Sequence, residues 1–294
     1  MKFTKILSLV LAMLMLSFAF VGCTGSNNNE NETESDVENN EAVESGDAAD
    51  TSYLLEDGVL TVAMEIGYPP FENYATDGET PIGFDVDLAA AIAEYLGVEV
   101  KYMDTAWDGI FDGLKIDKYD CVMSAVTISA ERAENMDFST PYTFNYQSLV
   151  INKDSDVKVS SPADLTGLKV GYQGATASDE YLGKLIATGE VDCEVNEYDK
   201  VIDAFTDLKN KRLDVIICDS TVTADYLVSE PETYELVWTL MEEPEEFGVA
   251  VKKGNEALLS KINEALAALE ESGKLDEIRS DWGLMAVESD TAAE

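Results

Sequence analysis

From Tyr53 onward, short β-rich runs alternate with stretches whose apolar residues recur at helical spacing. That alternation is the mark of an α/β body, and it excludes all-helical and all-β solutions. Val59–Met64 reads as a strand. Residues 85–96 read as a helix, with apolar side chains at 86, 88, 89, 92, 93 and 96 and Gly97 as the stop. Residues 98–102 read as a strand, 107–114 as a helix and 121–125 as a third strand. Ser129 then has the chemistry of an N-cap for a short helix through Arg132 and Glu134. Further strands are expected at 169–172, 193–198, 214–218 and 247–251, and helices near 177–187, 199–210 and 221–228. Helices over 255–272 and 275–282 close the body. The chain has 294 residues, enough for about two lobes at ~100–200 residues each. No repeat, heptad or long Pro/Gly linker separates them, so short ordered segments must join them.

Composition narrows the function. The chain carries 59 Asp+Glu against 19 Lys+Arg, a formal net charge of −40, and no histidine. Nucleic acid is excluded as a partner, because affinity there comes mainly from Lys and Arg neutralising phosphates. Without histidine there is no Ser/His or Cys/His catalytic arrangement, and the commonest transition-metal ligand is missing. Gly-rich phosphate loops of Walker or Rossmann type are absent as well. Nothing in the sequence calls for a metal or cofactor.

The N-terminal segment reads as targeting. Lys2 and Lys5 precede sixteen uncharged residues, 6–21, a basic region and then an apolar one too short for a comfortable membrane span. From residue 24 to residue 52 there are nine carboxylates and no base, in a stretch whose only apolar side chains larger than Ala are Val37 and Val43. Such a segment cannot offset its ordering entropy by burial, so 23–52 is expected to be a disordered acidic tether, and 288–294 a disordered tail. Cys121, Cys193 and Cys218 form no C-x-x-C pair and sit in apolar or alternating runs. Buried free thiols are expected, with a Cys193–Cys218 disulfide left open.

Two resemblances follow from quoted residues. Phe20-Val21-Gly22-Cys23 resembles the lipobox of bacterial lipoproteins, with Phe20 where Leu is usual. It implies that 1–22 is removed and that an acylated Cys23 anchors the chain to the cell membrane on its extracytoplasmic side. Gly83-Phe84-Asp85-Val86-Asp87-Leu88 resembles the signature of the family 3 solute-binding proteins, polar-amino-acid receptors of ABC importers. Tyr68-Pro69-Pro70-Phe71, Thr127-Ile128-Ser129-Ala130-Glu131-Arg132, Asp137-Phe138-Ser139-Thr140-Pro141-Tyr142 and Val170-Gly171-Tyr172-Gln173 continue the likeness, to about Trp282. The resemblance implies a two-lobed, periplasmic-binding-protein-like α/β fold of type II, its lobes joined by two hinge strands. Lobe 1 would comprise 53–144 and 247–287, and lobe 2 would comprise 145–246, with crossovers near 142–146 and 246–248. It also implies a monomer that holds a free amino acid between closing lobes, delivers it to an ABC permease and does no covalent chemistry.

The resemblance assigns roles to individual residues. Arg132 matches the arginine that grips the ligand carboxylate bidentately, unless it pairs with Glu131 or Glu134 in solvent. Thr127 adds a hydroxyl to that carboxylate, while Ser124 and the carbonyl of Ala125 face the ammonium. Asp219 matches the aspartate of lobe 2 that accepts from the ammonium, with an N-cap role also open to it. Gln173 begins Gln173-Gly174-Ala175-Thr176-Ala177, where relatives have Gln-x-Gly-Thr-Thr. Thr176 keeps a contact at a helix N-terminus, and Ala177 has lost a hydroxyl. Glu65, Tyr68 and Trp107 fall to the ligand side chain, with a core position as the other reading of Trp107. Tyr68 and Trp107 would sandwich its stem, and Glu65 would demand a donor. That favours arginine, lysine or ornithine, with glutamine or a cystine-type ligand as the alternative. A dehydratase acting on cyclic precursors is the rival from another class, since some share this fold.

Overall fold

A computed structural model describes residues 51–284. The leader, Cys23, most of the expected tether and the expected tail lie outside the described residues. At its near end the expected tether is too long. Thr51 is buried, and its hydroxyl donates to Asp57.

The elements run in chain order as β1 (Val59–Met64), a small hairpin of β2 (Asn73–Tyr74) and β3 (Pro81–Ile82), α1 (Phe84–Leu96), β4 (Glu99–Asp104), α2 (Ile110–Lys115) and β5 (Cys121–Val122). Next come α3 (Ala130–Asn135), β6 (Met136–Phe138), β7 (Thr143–Asn145), β8 (Gln147–Asn152), β9 (Lys169–Gln173) and α4 (Ala177–Thr188). Then follow β10 (Glu194–Tyr198), α5 (Val201–Lys209), β11 (Val215–Asp219), α6 (Ser220–Ser229) and β12 (Tyr234–Thr239). The chain ends with β13 (Glu245–Phe247), β14 (Ala250–Lys252), α7 (Glu256–Glu271) and α8 (Lys274–Asp281).

Two five-stranded sheets result, ordered β4-β1-β5-β14-β6 and β10-β9-β11-β8-β12. The first takes β14 from beyond the second, so the chain leaves one sheet, builds the other and returns. Outgoing β7 and returning β13 pair antiparallel, with Glu245 opposite Asn145 and Phe247 opposite Thr143. Each sheet is parallel at the strands that carry helical crossovers and antiparallel where the chain returns. Leu149, Leu165, Val170, Leu182 and Ile217 fill one face of the second sheet, and Ile110, Leu114, Tyr119 and Val122 one face of the first. Arg279 of α8, buried with both Glu270 and Asp276 as ion-pair partners, donates to the Tyr142 carbonyl just before β7. The last helix therefore fixes the point where the chain departs for the second sheet.

Local chemistry accounts for several boundaries. Gly97 stops α1 in the left-handed conformation at φ 71°, which glycine adopts without steric cost. The 107–114 helix starts only at Ile110, because Gly109 turns left-handed at φ 87°. The 121–125 strand ends at Val122, and Ala125 takes φ 48° in a tight turn. The run 247–251 is two strands, since the chain changes sheets at Gly248, where a Cβ would lie 2.8 Å from Ile128 Cδ1. Strands β8 and β12 have no counterpart in the sequence reading; polar Gln147, Ser148 and Asn152 in β8 blur its apolar pattern although all are buried.

Candidate ligand-binding site

Parallel α/β sheets present ligand sites at the carboxyl ends of their strands, and here two such ends face one another. Glu65 and Tyr68 follow β1, Trp107 lies between β4 and α2, and Ser124, Ala125 and Thr127 follow β5. Arg132 sits in α3, Gln173 ends β9, Thr176 caps α4 and Asp219 ends β11. All ten of these nominated residues, together with Ala177, line a single cavity.

Arg132 makes one pole. Its Nη1 donates to the Thr127 carbonyl (3.0 Å) and its Nη2 to the Ala175 carbonyl (3.2 Å). The guanidinium lies 5.5 Å from the Trp107 ring centroid and 5.4 Å from that of Phe111, distances at which a cation is attracted to an aromatic face. Among the described residues it forms no ion pair with Glu131, Glu134 or any other carboxylate. Ser129 caps α3 by accepting from the Arg132 N–H (3.2 Å). With five N–H donors and two so engaged, the fork keeps donors for an anion. The N-terminus of α4, at Thr176 and Ala177, adds positive dipole end to the same wall. The Thr176 hydroxyl itself serves the protein, donating to the Gln173 carbonyl (2.6 Å) and accepting from Asp179 N–H (3.5 Å).

Asp219 makes the opposite pole. Although it stands at the N-cap position of α6, its side chain makes no capping bond. Oδ1 instead accepts from Asn145 Nδ2 and Gln147 Nε2, each at 2.8 Å, and Oδ2 from the Tyr68 hydroxyl (2.6 Å). Both amides are oriented from behind, Gln147 Oε1 by the Ser178 hydroxyl (2.7 Å) and Asn145 Oδ1 by the Ser220 hydroxyl (3.2 Å). They also donate to Glu245 Oε2, at 3.4 Å from Asn145 and 2.9 Å from Gln147. Asn145, Gln147 and Glu245 were not nominated from the sequence. Asn145 and Glu245 lie in the hinge strands and Gln147 opens β8; Asn145 and Gln147 are buried and Glu245 half-buried.

The third region surrounds Glu65, 4% exposed, whose Oε2 accepts from Gln173 Nε2 (2.6 Å). Burial raises its pKa, and the Gln173 hydrogen bond opposes the shift. Trp107 belongs both to the core of the first sheet and to the cavity wall, and its Nε1 donates to the Ala175 carbonyl (3.0 Å). Ser124 accepts from the Glu65 N–H (3.1 Å) and donates to Glu72 Oε1 (2.5 Å). Residues beside the first sheet thus bond directly to residues beside the second, in a closed arrangement. The turn carrying Thr127 is tied to the returning hinge strand, with Ile128 N–H donating to the Glu246 carbonyl (2.8 Å). Cys121, Cys193 and Cys218 are free, the first and last buried and Cys193 half-buried.

Burial pushes the Glu245 carboxyl up to about 7, with the Asp219 charge adding to it; burial also raises Asp219 and takes Asp85 to about 7. A carboxyl whose pKa is higher folded than unfolded binds its proton more tightly in the fold. Its contribution to stability is fullest below the unfolded value near 4.5 and is lost as pH rises towards about 7. Glu245→Gln removes one such group. Its melting temperature relative to wild type should therefore rise between pH 5 and pH 8, and a flat or falling difference in a thermal denaturation series would contradict this origin.

A family model described as bacterial extracellular solute-binding proteins, family 3, matches residues 60–285. The L-cystine-binding protein TcyJ of Escherichia coli is 34% identical over 229 residues, covering 78% of this chain and 84% of that protein. The ABC transporter arginine-binding protein 1 of the same species is 33% identical over 227 residues, 76% of this chain and 90% of its own. Among solved structures, an ancestral arginine-binding protein bound to arginine aligns with a TM-score of 0.72 and 37% identity, over 76% of this chain and 98% of that one. An ancestral arginine-binding protein bound to glutamine aligns with a TM-score of 0.72 and 36% identity, over 77% of this chain and 98% of that one. An ancestral amino acid-binding protein described as a precursor of cyclohexadienyl dehydratase aligns with a TM-score of 0.69 at 32% identity, over 76% and 95%.

Proposed function

Because the chain belongs to the family 3 bacterial extracellular solute-binding proteins, we propose that it is the capturing subunit of an amino-acid ABC importer and that its ligand is a basic L-amino acid. One observation carries the reading. A single cavity sets one guanidinium, Arg132, against two carboxylates, Glu65 and Asp219. A zwitterionic amino acid brings its carboxylate to Arg132 and its ammonium to Asp219, which leaves Glu65 in need of a donor. A terminal guanidinium or ammonium satisfies it and brings the enclosed charge to balance, so the desolvation of Glu65 is compensated. Thr127 and the α4 N-terminus at Thr176 complete the carboxylate end, Ser124 and the Ala125 carbonyl the ammonium end. Tyr68, Trp107 and Gln173 flank the side chain.

The ligand touches both lobes, so it stabilises the closed form by its differential affinity for that form. Binding and release are the whole of the chemistry proposed, and relatives that are named for a ligand are named as binding proteins. Delivery to a membrane permease and anchoring through a lipidated Cys23, with the acidic segment as tether, belong to the same proposal.

Thermal-shift screening against the twenty amino acids plus ornithine, citrulline and cystine tests it. A ligand at a hundred times its Kd stabilises by about 2.7 kcal/mol. Arginine, lysine or ornithine should give the largest shift, and Glu65→Gln should move the preference towards uncharged side chains. No shift with any amino acid, or the largest with an acidic one, defeats the reading. A second reading, glutamine, has one observation in its favour: Glu65 already accepts from an amide nitrogen, that of Gln173 at 2.6 Å. In that case glutamine leads the screen.

A further inference from the structure

Beneath the cavity floor, outside the residues assigned to ligand, two carboxylates are completely buried: Glu72, in the loop after β1, and Asp85, in the first turn of α1. Their loops are forced together. Gly83 takes φ 141°, and a Cβ there would lie 2.1 Å from the Phe71 carbonyl oxygen and 2.8 Å from Glu72 Cα. The Asp85 N–H donates to that same Phe71 carbonyl (2.9 Å). Only glycine fits, and the contact presses the Glu72 loop onto the start of α1.

The hydrogen bonding of the two carboxylates is complementary. Glu72 Oε1 accepts from the Ser124 hydroxyl (2.5 Å), and Asp85 Oδ2 accepts from the Ala125 N–H (2.8 Å) and the Tyr142 hydroxyl (3.1 Å). The other oxygen of each, Glu72 Oε2 and Asp85 Oδ1, is buried and has no partner. A buried carboxylate oxygen without a donor is costly, and two neighbouring like charges cannot both persist in such a place. One proton between the orphaned oxygens removes both difficulties. We infer that Glu72 and Asp85 share a single proton, and that Glu72 is thereby a positioning residue that holds the Ser124 hydroxyl as an acceptor towards the cavity.

The polarity follows bond by bond. With the shared proton carried on Glu72 Oε2, Glu72 Oε1 has only the role of acceptor. Ser124 must then direct its proton to Glu72, and it already accepts from the Glu65 N–H (3.1 Å). Its remaining lone pair is available to an ammonium group and offers nothing to a hydroxyl acceptor or an anion. Asp85 meanwhile holds the Ala125 N–H, which fixes the left-handed turn at φ 48°. Burial and the Asp85 charge both raise the Glu72 pKa, and the nearby Glu65 charge adds to this. The same pair thus organises Ser124 and Ala125 together. Its effect on affinity rests on the amino-acid reading given above, whereas the proton can be observed without any ligand.

Infrared difference spectroscopy on the ligand-free protein at pH 7, wild type minus Glu72→Gln, should show the carbonyl band of a protonated carboxylic acid. Its absence overturns the inference, whatever the protein binds. Affinity then tests the positioning role, using the amino acid that gives the largest thermal shift. Glu72→Gln reproduces the neutral acid, with its NH₂ donating to Asp85 and its oxygen accepting from Ser124. It should bind within about threefold of wild type, less than the loss of one hydrogen bond. Glu72→Leu should bind at least about tenfold more weakly, and Ser124→Ala should add little in that background. A Glu72→Gln variant as weak as Glu72→Leu, a Glu72→Leu variant that binds like wild type, or additive losses with Ser124→Ala would each refute it.

Discussion

Arg132→Ala is expected to weaken amino-acid binding by about thirty- to several-thousand-fold, the equivalent of the ~2–5 kcal/mol lost when one partner of a buried, hydrogen-bonded charge pair is truncated. Arg132 is 9% exposed, and its guanidinium is already aligned by the Thr127 and Ala175 carbonyls and the Trp107 and Phe111 rings. The ligand therefore does not have to order it. Without it, the ligand carboxylate enters a site of two carboxylates with no compensating charge. The fold should survive, because the bonds Arg132 makes in the described structure go to backbone carbonyls, and the Ala175 carbonyl keeps the Trp107 Nε1 donor at 3.0 Å. Arg132→Lys retains the charge but not the fork or the flat aromatic contact, and should fall between wild type and alanine. Calorimetry against the best amino acid of the screen decides this, and near-wild-type affinity in Arg132→Ala would sink the site assignment.

The second large effect belongs to Asp219. Asp219→Asn keeps the shape but replaces an acceptor pair with one acceptor and one donor, so Asn145, Gln147, Tyr68 and the ligand ammonium can no longer all be satisfied. A loss of about a hundredfold or more is expected for an amino acid, in the range set by an unpaired buried charge. The α-hydroxy acid analogue, which carries no ammonium, should lose much less. That contrast separates the two poles, since Arg132→Ala should weaken amino acid and hydroxy acid alike. If Asp219→Asn penalised both ligands equally, Asp219 would be acting through the hinge amides and not on the ammonium.

The legibility of this site in the sequence was uneven for physical reasons. Glu65 and Asp219 stand at the ends of strand patterns, where side chains leave a sheet edge, and Arg132 follows the Ser129 cap inside a motif shared with the family. A charge in such a place is anomalous enough to be noticed. All ten nominated residues reach the cavity. The residues that support them were not legible. Asn145 and Glu245 sit in the hinge strands and Gln147 at the start of β8, in segments whose polarity looks like that of exposed chain. Their role depends on pairing across about a hundred residues, Glu245 with Asn145. Glu72 and Asp85 lie in quoted or adjoining motifs, yet nothing local indicates that both are buried or that their free oxygens need one proton.

The division is that between short-range and long-range physics. The period of apolar residues and the cap chemistry act within a few residues of one another, and so the sequence alone determined the α/β alternation and most helices, while the roles of Arg132 and Asp219 followed from the family resemblance of the motifs around them. Only the tertiary structure decided that β14 slots between β5 and β6. It alone decided that Glu72 and Asp85 are wholly buried together. Strand neighbours, burial and the sharing of donors arise from segments far apart in the chain, and the chemistry of a carboxylate is set by what encloses it.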